Sequence, residues 1–411
     1  MAYELSLCRI CNASKLSSIL DLGVLPISGK FGRKGEKETL MPLNLGQCDN
    51  CGLVQLLHLL PINELYGEFY GYESGLNSSM TTHLDNLASY LVKSYIDLKG
   101  IIPLKVIDIA SNDGTLLKKF SEHTKSTELI GVDPLIKYLS NQYPKETIKI
   151  SDFFGSEGID YLELSNASIV TSISVFYDLD NPLNFARKVH EILENDGLWF
   201  LEQSYIYSMI QAKSFDTICH EHLLYLRLID FKDIFDKAGF SVIDINFNET
   251  NGGSVQLLTQ KKETVNHCKN FLELIQDELK DDKVYSIKNF SSEIANHMMK
   301  LRELILEFYT NGYRIVALGA STKGNILLNY LKLPTNIIEI VGEVNSKKFG
   351  KITPGTHIPI VDEDEILNYK SRKQLILILP WHFKETFISK TKSRLSLGDR
   401  ILFPLPNIEL I

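Results

Sequence analysis

Four residues that can move protons or bind a metal stand side by side in the segment FDTICHEHLLYL, residues 215–226. They are Cys219, His220, Glu221 and His222. The residue types allow a metal site, an acid–base group or a buried polar network without chemistry. Titratable groups gather at functional sites, which favours acid–base chemistry. A metal site is the weaker interpretation, because His220 and His222 are two residues apart and share a face only on a strand.

A second group of reactive side chains lies near the N-terminus, where two Cys-x2-Cys pairs are separated by 36 residues. Its members are Cys8, Cys11, Cys48 and Cys51. Two such pairs supply four thiolates, a tetrahedral set that suits zinc. Because all four ligands are cysteines, the pattern predicts a structural Zn²⁺ site, and the spacing disfavours four metal-free buried thiols.

The composition limits the classes of partner. The chain has 411 residues, of which 44% are hydrophobic and 23% charged, as in ordinary soluble proteins. The net charge of -8, without a long basic run, argues against binding to nucleic acid. No stretch approaches the ~18 apolar residues of a membrane span, and the N-terminus does not resemble a secretion signal. We therefore expect a cytoplasmic protein that acts on a small molecule and not at a membrane.

Short apolar runs alternate with helical segments from about residue 103 onward, namely LKVIDIA, ELIGVD, TIKIS, SIVTSIS and GLWFLEQ. This alternation predicts a doubly wound α/β fold with a parallel sheet. Two more predicted strands, SVIDINFN and GSVQLLTQ, are joined through ETNGG. A parallel sheet that ends in an antiparallel hairpin is the class I methyltransferase arrangement. The segment 204–227, which holds the four clustered residues, is inserted after the fifth strand.

The first strand of this region leads into VIDIASNDGTLL, where small residues would let a nucleotide approach the backbone. Asp108 ends the strand, and an acidic residue there suits a positively charged sulfonium ligand. Ala110 stands where a pyrophosphate-binding loop has its first glycine, which disfavours pyrophosphate. The second strand ends with Asp133, placed for ribose hydroxyls, and the third with Asp152, placed for adenine. S-adenosylmethionine is therefore the leading cofactor and NAD the alternative. The candidate cofactor-binding residues are Asp108, Ala110, Asn112, Asp113, Gly114, Asp133, Asp152 and Phe153.

A second α/β unit follows a polar stretch, residues 261–283, and a long predicted helix that ends near Gly312. We predict three units on this basis. They are a zinc-binding module at 1–75, an S-adenosylmethionine-binding methyltransferase domain at 76–283, and a C-terminal Rossmann-like domain at 284–411.

These motifs together resemble the sugar C-methyltransferases of deoxysugar biosynthesis over nearly the whole chain. The resemblance is carried by CRIC…CDNCGLVQL with GEFYGYESGLNSSM, by DIASNDGTLL, by FDTICHEH with NGGSVQL, and by GASTKGNILLNYL…GKITPGTHIPI. It implies that the substrate is a nucleotide-linked 4-keto-6-deoxy sugar. It also implies that the methyl group of S-adenosylmethionine is transferred to the carbon next to the ketone, usually C3, through an enolate.

Enolate chemistry needs a base for the acidic hydrogen and donors for the enolate oxygen, but no metal. The resemblance implies that His222 is the general base and Glu221 its assistant, with His220 as a further catalytic candidate. Tyr72 matches a family tyrosine that reaches the sugar.

Two positions depart from the family pattern. Cys219 stands where the family has a tyrosine, and Asp178 stands where it has a histidine. Both family residues contact substrate or take part in catalysis, so the donor to the enolate oxygen is left open. A neutral Asp178, or the neighbouring Tyr177, is a candidate replacement.

The segment GASTKG follows a strand and opens a helix, so its N–H groups and the positive helix end face a potential phosphate. A turn with a solvated lysine is the alternative. With the resemblance, binding of the substrate diphosphate is favoured. The candidate substrate-binding residues are Gly319, Ser321, Thr322 and Lys323, together with Asn251 in the NFNETNGG turn.

Other functions stay open at this point. They are an O- or N-methyltransferase acting on a nucleotide sugar, a non-catalytic scaffold that binds S-adenosylmethionine or a nucleotide sugar, and an NAD-dependent oxidoreductase. The sequence leaves the oligomeric state open, with a monomer among the alternatives.

Overall fold

The computed structural model describes residues 3–61, Leu65 and residues 72–411. The strands of this part of the chain are β1 (Tyr3–Glu4), β2 (Leu16–Pro26), β3 (Leu40–Cys48), β4 (Val54–Leu56), β5 (His58–Leu59), β6 (Lys105–Ile109), β7 (Glu128–Val132), β8 (Ile148–Ile150), β9 (Ala167–Ile173), β10 (Leu193–Ser204), β11 (Leu224–Tyr225), β12 (Phe240–Asn248), β13 (Ser254–Lys261), β14 (Arg314–Leu318), β15 (Ile338–Glu343), β16 (Ile360–Asp362), β17 (Gln374–Ile378), β18 (Arg400–Phe403) and β19 (Glu409–Leu410).

The α-helices are α1 (Ser78–Lys99), α2 (Thr115–His123), α3 (Ile136–Leu139), α4 (Tyr161–Leu164), α5 (Pro182–Ile192), α6 (Ile206–Gln211), α7 (Leu228–Ala238), α8 (Lys269–Glu278), α9 (Asp281–Thr310), α10 (Thr322–Leu331), α11 (Asp364–Leu367) and α12 (Lys384–Lys392). The strands and helices predicted by the alternating pattern are all present. Among the described helices, none has both the length and the apolar character needed to cross a membrane.

The central sheet has seven strands in the order β12-β13-β10-β9-β6-β7-β8. Strands β6 to β10 pair in parallel, while β13 is antiparallel to both β10 and β12. It follows that β12 runs parallel to β10, so β13 alone is reversed and lies inside the edge of the sheet. This arrangement is the class I methyltransferase fold, and it refines the prediction of a terminal antiparallel hairpin.

Apolar residues cover both faces of this sheet. On one face Trp199 is fully buried, and its ring lies within 5.0–5.6 Å of the rings of Phe176, Phe235 and Phe240. Helix α1 packs on the other face, through Leu84, Leu91 and neighbouring side chains. Its C-terminal Lys99 donates to the carbonyl of Asn195 near the start of β10. The first turns of α1 therefore lie at the carboxyl edge of the sheet, where ligands bind in such folds.

The C-terminal sheet has six strands in the order β16-β15-β14-β17-β18-β19, all parallel except the last pair. Successive strands are added on one side of β14 up to β16 and on its other side from β17 onward. This switch point creates a crevice at the carboxyl ends of β14 and β17. Helix α9, thirty residues long, begins at Asp281 and leads into this sheet.

The inserted segment is held by the N-terminal module as well as by the methyltransferase sheet. Its short strand β11 pairs with β4, which completes a four-stranded sheet in the order β11-β4-β3-β2. Leu56 also donates its N–H to the carbonyl of Leu223, at 2.9 Å. The N-terminal module therefore helps to fix the residues next to the Cys-His-Glu-His cluster.

Candidate active site

The loop after β6 has the backbone shape of a nucleotide-binding turn. Ala110, Asn112 and Gly114 all have positive φ, at 59°, 52° and 77°. These three alternate positions are where a Gly-x-Gly-x-Gly loop would carry glycine, and asparagine is among the few other residues that adopt this conformation readily. Sequence comparison with a glycine motif detects only Gly114, although the backbone is the same at all three positions.

The packing around Gly114, as well as its positive φ, requires glycine at this position. A Cβ atom at this position would lie 2.7 Å from two ring carbons of Tyr143. We therefore expect Gly114→Ala to cost about 1–3 kcal/mol of unfolding free energy and to weaken binding of S-adenosylmethionine. The matched control is Gly100→Ala, where φ is 71° but no atom lies within 4 Å. Chemical denaturation and calorimetric titration test this, and equal behaviour of the two variants would contradict it.

Two buried carboxylates flank the loop. Asp108 accepts a hydrogen bond from the Thr171 hydroxyl at 2.6 Å, and burial raises its pKa to about 7. Asp133 accepts the N–H groups of Asn112 at 2.9 Å and Leu135 at 2.7 Å, and burial raises its pKa to about 6. A bound cation would favour ionisation of Asp108, so this edge of the sheet fits a sulfonium and an ammonium group. The role of Asp133 at the ribose hydroxyls stays a prediction.

The residues just before α1 are fastened to the same loop. Asn112 accepts the N–H of Ser74 at 3.0 Å and donates to the carbonyl of Tyr72 at 3.0 Å. Asp113 accepts the N–H of Gly75 at 2.7 Å. Tyr72 is half-exposed, 48%. The structure thus brings the predicted Tyr72 to the predicted cofactor loop.

The other predicted cofactor residues follow β8. Asp152 accepts the N–H of Phe153 and the hydroxyl of Ser156, both at 2.7 Å. The carboxylate therefore stabilises its own turn. The roles of Asp152 and Phe153 in adenine binding stay predictions.

The four N-terminal cysteines converge. Their sulfur atoms all lie within 4.8 Å of one another, with Sγ–Sγ distances of 3.6 Å for Cys8–Cys51 and for Cys11–Cys48. The same turn occurs at both pairs, because the N–H of Asn12 bonds to the carbonyl of Cys8 and that of Gly52 to the carbonyl of Cys48. Asn12 and Gly52 both have positive φ, at 58° and 79°.

The sulfur separations match those required by a tetrahedral metal. A Zn–S bond of about 2.3 Å gives tetrahedral edges of about 3.8 Å. A hydrogen bond from Cys51 also lowers the pKa of Cys8 to about 4, so a thiolate is available to a metal. The residues present therefore fit a zinc ion.

The central cluster forms a tight turn in which the N–H of His222 bonds to the carbonyl of Cys219 at 3.1 Å. Its side chains diverge. His220 points to the N-terminal module, with Nε2 3.4 Å from the carbonyl of Met41, and burial lowers its pKa to about 4. His220 and His222 thus do not face one common ligand.

The ring of His222 is held in one tautomer. Its Nδ1 donates to the carbonyl of Thr217 at 2.8 Å, which leaves the lone pair on Nε2. The ring lies 4.2 Å from that of Tyr177, and both border a narrow pocket with Ser204 at the end of β10. Burial, and then the positive charge of Lys323, lower the pKa of His222 to about 3. His222 is therefore neutral throughout the neutral pH range, with an unprotonated Nε2.

Glu221 and Cys219 are buried beside this group. Burial raises the pKa of Glu221, while a hydrogen bond with the Cys219 thiol opposes the shift. Within the described residues, Oε2 of Glu221 has no hydrogen-bond partner. The group that orients His222 is the Thr217 carbonyl, since the turn directs Glu221 elsewhere. Asp178 ends the short turn 176–178 after β9, and its charge helps to raise the pKa of Cys219.

Glu221 lies close to both the N-terminal module and the C-terminal unit. A Cβ atom added at Gly29 of the N-terminal module would lie 2.8 Å from Oε1 of Glu221 and 3.4 Å from Oγ1 of Thr322 on helix α10. The site is therefore built from three parts of the chain, with Glu221 close to the start of α10.

The predicted phosphate-binding segment lies at the carboxyl end of β14. Gly319 has φ of 85° and packs against Pro380, which leaves no room for a side chain. Ser321 caps helix α10 by accepting the N–H of Gly324 at 3.0 Å. Lys323 carries a charge that acts on His222. The structure thus brings the GASTKG segment to the His222 site.

Asn251, the remaining substrate-binding candidate, lies in the turn 250–252 before β13. Its side chain lies outside the described part of the structure.

Three family models match the chain in sequence. They are described as "Putative zinc binding domain" at residues 8–66, "Methyltransferase domain" at residues 80–245, and "C-methyltransferase C-terminal domain" at residues 249–406. The chain is 26% identical to the C-methyltransferase NovU of Streptomyces niveus, over 98% of this chain and 96% of NovU. The chain is an S-adenosylmethionine-dependent methyltransferase. This confirms the resemblance and the fold class predicted from the motifs, and it replaces the NAD alternative.

Other known proteins match only part of this methyltransferase. The tRNA U34 carboxymethyltransferase of Campylobacter lari is 25% identical over 38% of the chain and 55% of its own length. Among solved structures, the plantazolicin methyltransferase BpumL with S-adenosylhomocysteine (SAH) has 12% identity and a TM-score of 0.36, covering 44% of this chain and 86% of its own. Human N-acetylserotonin methyltransferase has 15% identity and a TM-score of 0.35, covering 49% and 60%.

Two side-chain pairs of this methyltransferase were not predicted from sequence. Asp216 accepts the indole N–H of Trp381 at 2.9 Å and joins the inserted segment to the C-terminal sheet. His83, on α1, bonds to Glu202 at the end of β10. In both cases the partners are far apart in sequence, so no local motif marks them.

Proposed function

We propose that this enzyme methylates the carbon next to the ketone of a nucleotide-linked 4-keto-6-deoxy sugar, most simply at C3. The observation that carries the proposal is the tautomer of His222, whose Nε2 lone pair is available beside a pocket at the carboxyl ends of β9 and β10. A neutral imidazole at this point is suited to remove an acidic hydrogen from carbon. The full-length similarity to a C-methyltransferase supports the same chemistry.

S-adenosylmethionine, when bound, supplies the methyl group as an electrophile attached to a sulfonium. The chain supplies the rest of the reaction. His222 takes the hydrogen next to the ketone, and the electron pair of that C–H bond forms the enolate. The enolate carbon then bonds to the methyl group as the methyl–sulfur bond breaks, and S-adenosylhomocysteine is the leaving group. The proton taken by His222 is released to solvent afterwards.

The enolate oxygen needs a hydrogen-bond donor or a positive charge. Tyr177 supplies a phenol at this place, since its ring contacts that of His222 at 4.2 Å. Lys323 contributes positive charge at the same place. Tyr177 and Lys323 are therefore our candidates for stabilising the enolate oxygen, a role that the family pattern places at the positions of Cys219 and Asp178.

The nucleotide diphosphate is assigned to the start of α10. This helix is ten residues long, and its first turn carries Thr322 and Lys323. The positive end of the helix and the ammonium group would both attract phosphate. Zn²⁺ is assigned to the four cysteines, where it would support the N-terminal module without touching substrate.

A screen with defined substrates tests the proposed function. The purified enzyme is incubated with S-adenosylmethionine and GDP- or dTDP-linked 4-keto-6-deoxy sugars, and the sugars are analysed by mass spectrometry. We expect at least one keto sugar to gain the mass of one CH2 group and the corresponding 4-hydroxy sugars to gain none. Methylation of the hydroxy sugars, or S-adenosylhomocysteine release without any keto-sugar product, would contradict the proposal.

A further inference from the structure

The pair formed by His83 and Glu202 has the geometry of a positioned functional histidine. Nε2 of His83 lies 3.0 and 2.9 Å from the two carboxylate oxygens of Glu202. Gln256, on β13, donates to the same carboxylate at 2.6 Å. The Glu202 side chain is 1% exposed and that of His83 is 21% exposed. The pair is thus anchored in the protein at one end and open at the other.

The open end carries the second ring nitrogen. Within the described residues, Nδ1 of His83 has no hydrogen-bond partner, because the hydrogen bonds of this ring all go through Nε2. A carboxylate that fixes one nitrogen and leaves the other free is the arrangement by which proteins prepare a histidine for a ligand. The bond to Glu202 also raises the pKa of His83, so the ring carries positive charge more readily.

The position of the pair points to the cofactor site. His83 lies in the second turn of α1, and the residues before that helix are fastened to Asn112 and Asp113 of the cofactor loop. Glu202 lies two residues before Ser204, which borders the His222 pocket. The pair therefore lies at the carboxyl edge of the sheet, between the cofactor loop and the end of β10.

The cofactor loop leaves one part of S-adenosylmethionine without a partner. Asp108 suits its sulfonium and ammonium groups and Asp133 its ribose hydroxyls, but both aspartates repel its carboxylate. Four of the loop N–H groups, those of Ala110, Asn112, Gly114 and Thr115, are bonded within the protein already, so the loop offers few backbone donors to this carboxylate. A side-chain donor from another element would strengthen its binding at this edge, and α1 provides His83.

We propose that His83 binds the carboxylate of the methyl donor through Nδ1, and that Glu202 and Gln256 position its ring for this contact. The proposal concerns the cofactor and holds whichever sugar the enzyme accepts. It predicts that the enzyme distinguishes S-adenosylmethionine from decarboxylated S-adenosylmethionine, which keeps the sulfonium and the ammonium but lacks the carboxylate.

Calorimetric titration of the wild type and the His83→Gln variant with both compounds tests this. Glutamine keeps a donor close to Nε2 for Glu202 and removes Nδ1. We expect the affinity of the variant for S-adenosylmethionine to fall by about 10- to 100-fold, the effect of losing a hydrogen bond to a charged group. Its affinity for the decarboxylated compound should stay nearly unchanged. Glu202→Gln should reduce the same preference by a smaller factor.

The matched control is His123→Gln, because His123 forms a similar pair with Asp85 at 2.9 Å but lies at the far end of α2. It should leave both affinities unchanged. Equal loss of both affinities in His83→Gln would assign the pair a structural role and overturn the proposal. If that variant does not fold, the wild type decides, because equal affinity for the two compounds would also overturn it.

Discussion

Replacing His222 with asparagine is expected to reduce methyl transfer by about 10²- to 10⁴-fold, the contribution typical of a general base. Asparagine retains a side-chain N–H that can reach the Thr217 carbonyl, so the turn should persist while the basic Nε2 is lost. Binding of S-adenosylmethionine should be unchanged, because the cofactor loop belongs to a different part of the sheet. Steady-state rates and calorimetric titration measure the two effects separately.

The pH profile gives a second test of His222. Because its pKa is lowered to about 3, the imidazole stays unprotonated as the pH falls from 8 to 5. The acid limb of kcat/KM should therefore not reflect an ordinary histidine. The matched control is His357→Asn, a half-exposed histidine that pairs with Glu38 and should have full activity. Full activity of His222→Asn would exclude it as the base.

Replacing one of the four N-terminal cysteines is expected to abolish turnover, because the N-terminal module should unfold. Structural zinc contributes on the order of 10–16 kcal/mol to small metal-binding domains, which is as large as the stability of a whole domain. The variant Cys51→Ser should therefore lose zinc and unfold the module. The inserted segment would then lose its pairing through β11 and the bond from Arg227 to the Cys51 carbonyl, at 2.7 Å.

Three measurements identify this effect. Elemental analysis should find one zinc per wild-type chain and much less in Cys51→Ser, whose thermal unfolding should begin at a lower temperature. Binding of S-adenosylmethionine should survive, because the seven-stranded sheet has its own core. Cys268→Ser is the matched control, since Cys268 lies outside the cluster. A Cys51→Ser variant as active as Cys268→Ser would contradict the assigned role.

Local patterns predicted the parts of the molecule that depend on neighbouring residues. The two Cys-x2-Cys pairs form their own turns, and the apolar strand runs identify β6 to β10 directly. The fold class followed from these elements. The cofactor loop was predicted from Asp108 and Gly114, although two of its three positive-φ positions, Ala110 and Asn112, lack glycine.

Contacts between distant segments were beyond the sequence patterns. Strand β11 has only two residues, and its pairing with β4 depends on the packing of two units. Glu221 was expected to orient His222, whereas the tight turn assigns that contact to the Thr217 carbonyl. The His83–Glu202 pair spans 119 residues, so nothing near either residue indicated it.

The central claim is that carbon next to a ketone receives the methyl group. The most direct measurement uses S-adenosylmethionine labelled with ¹³C in its methyl group and a uniformly ¹³C-labelled keto sugar that the screen identifies. NMR of the product should show one-bond coupling between the labelled methyl and the ring carbon next to the ketone. A labelled methyl joined to oxygen or nitrogen, without that coupling, would contradict the claim.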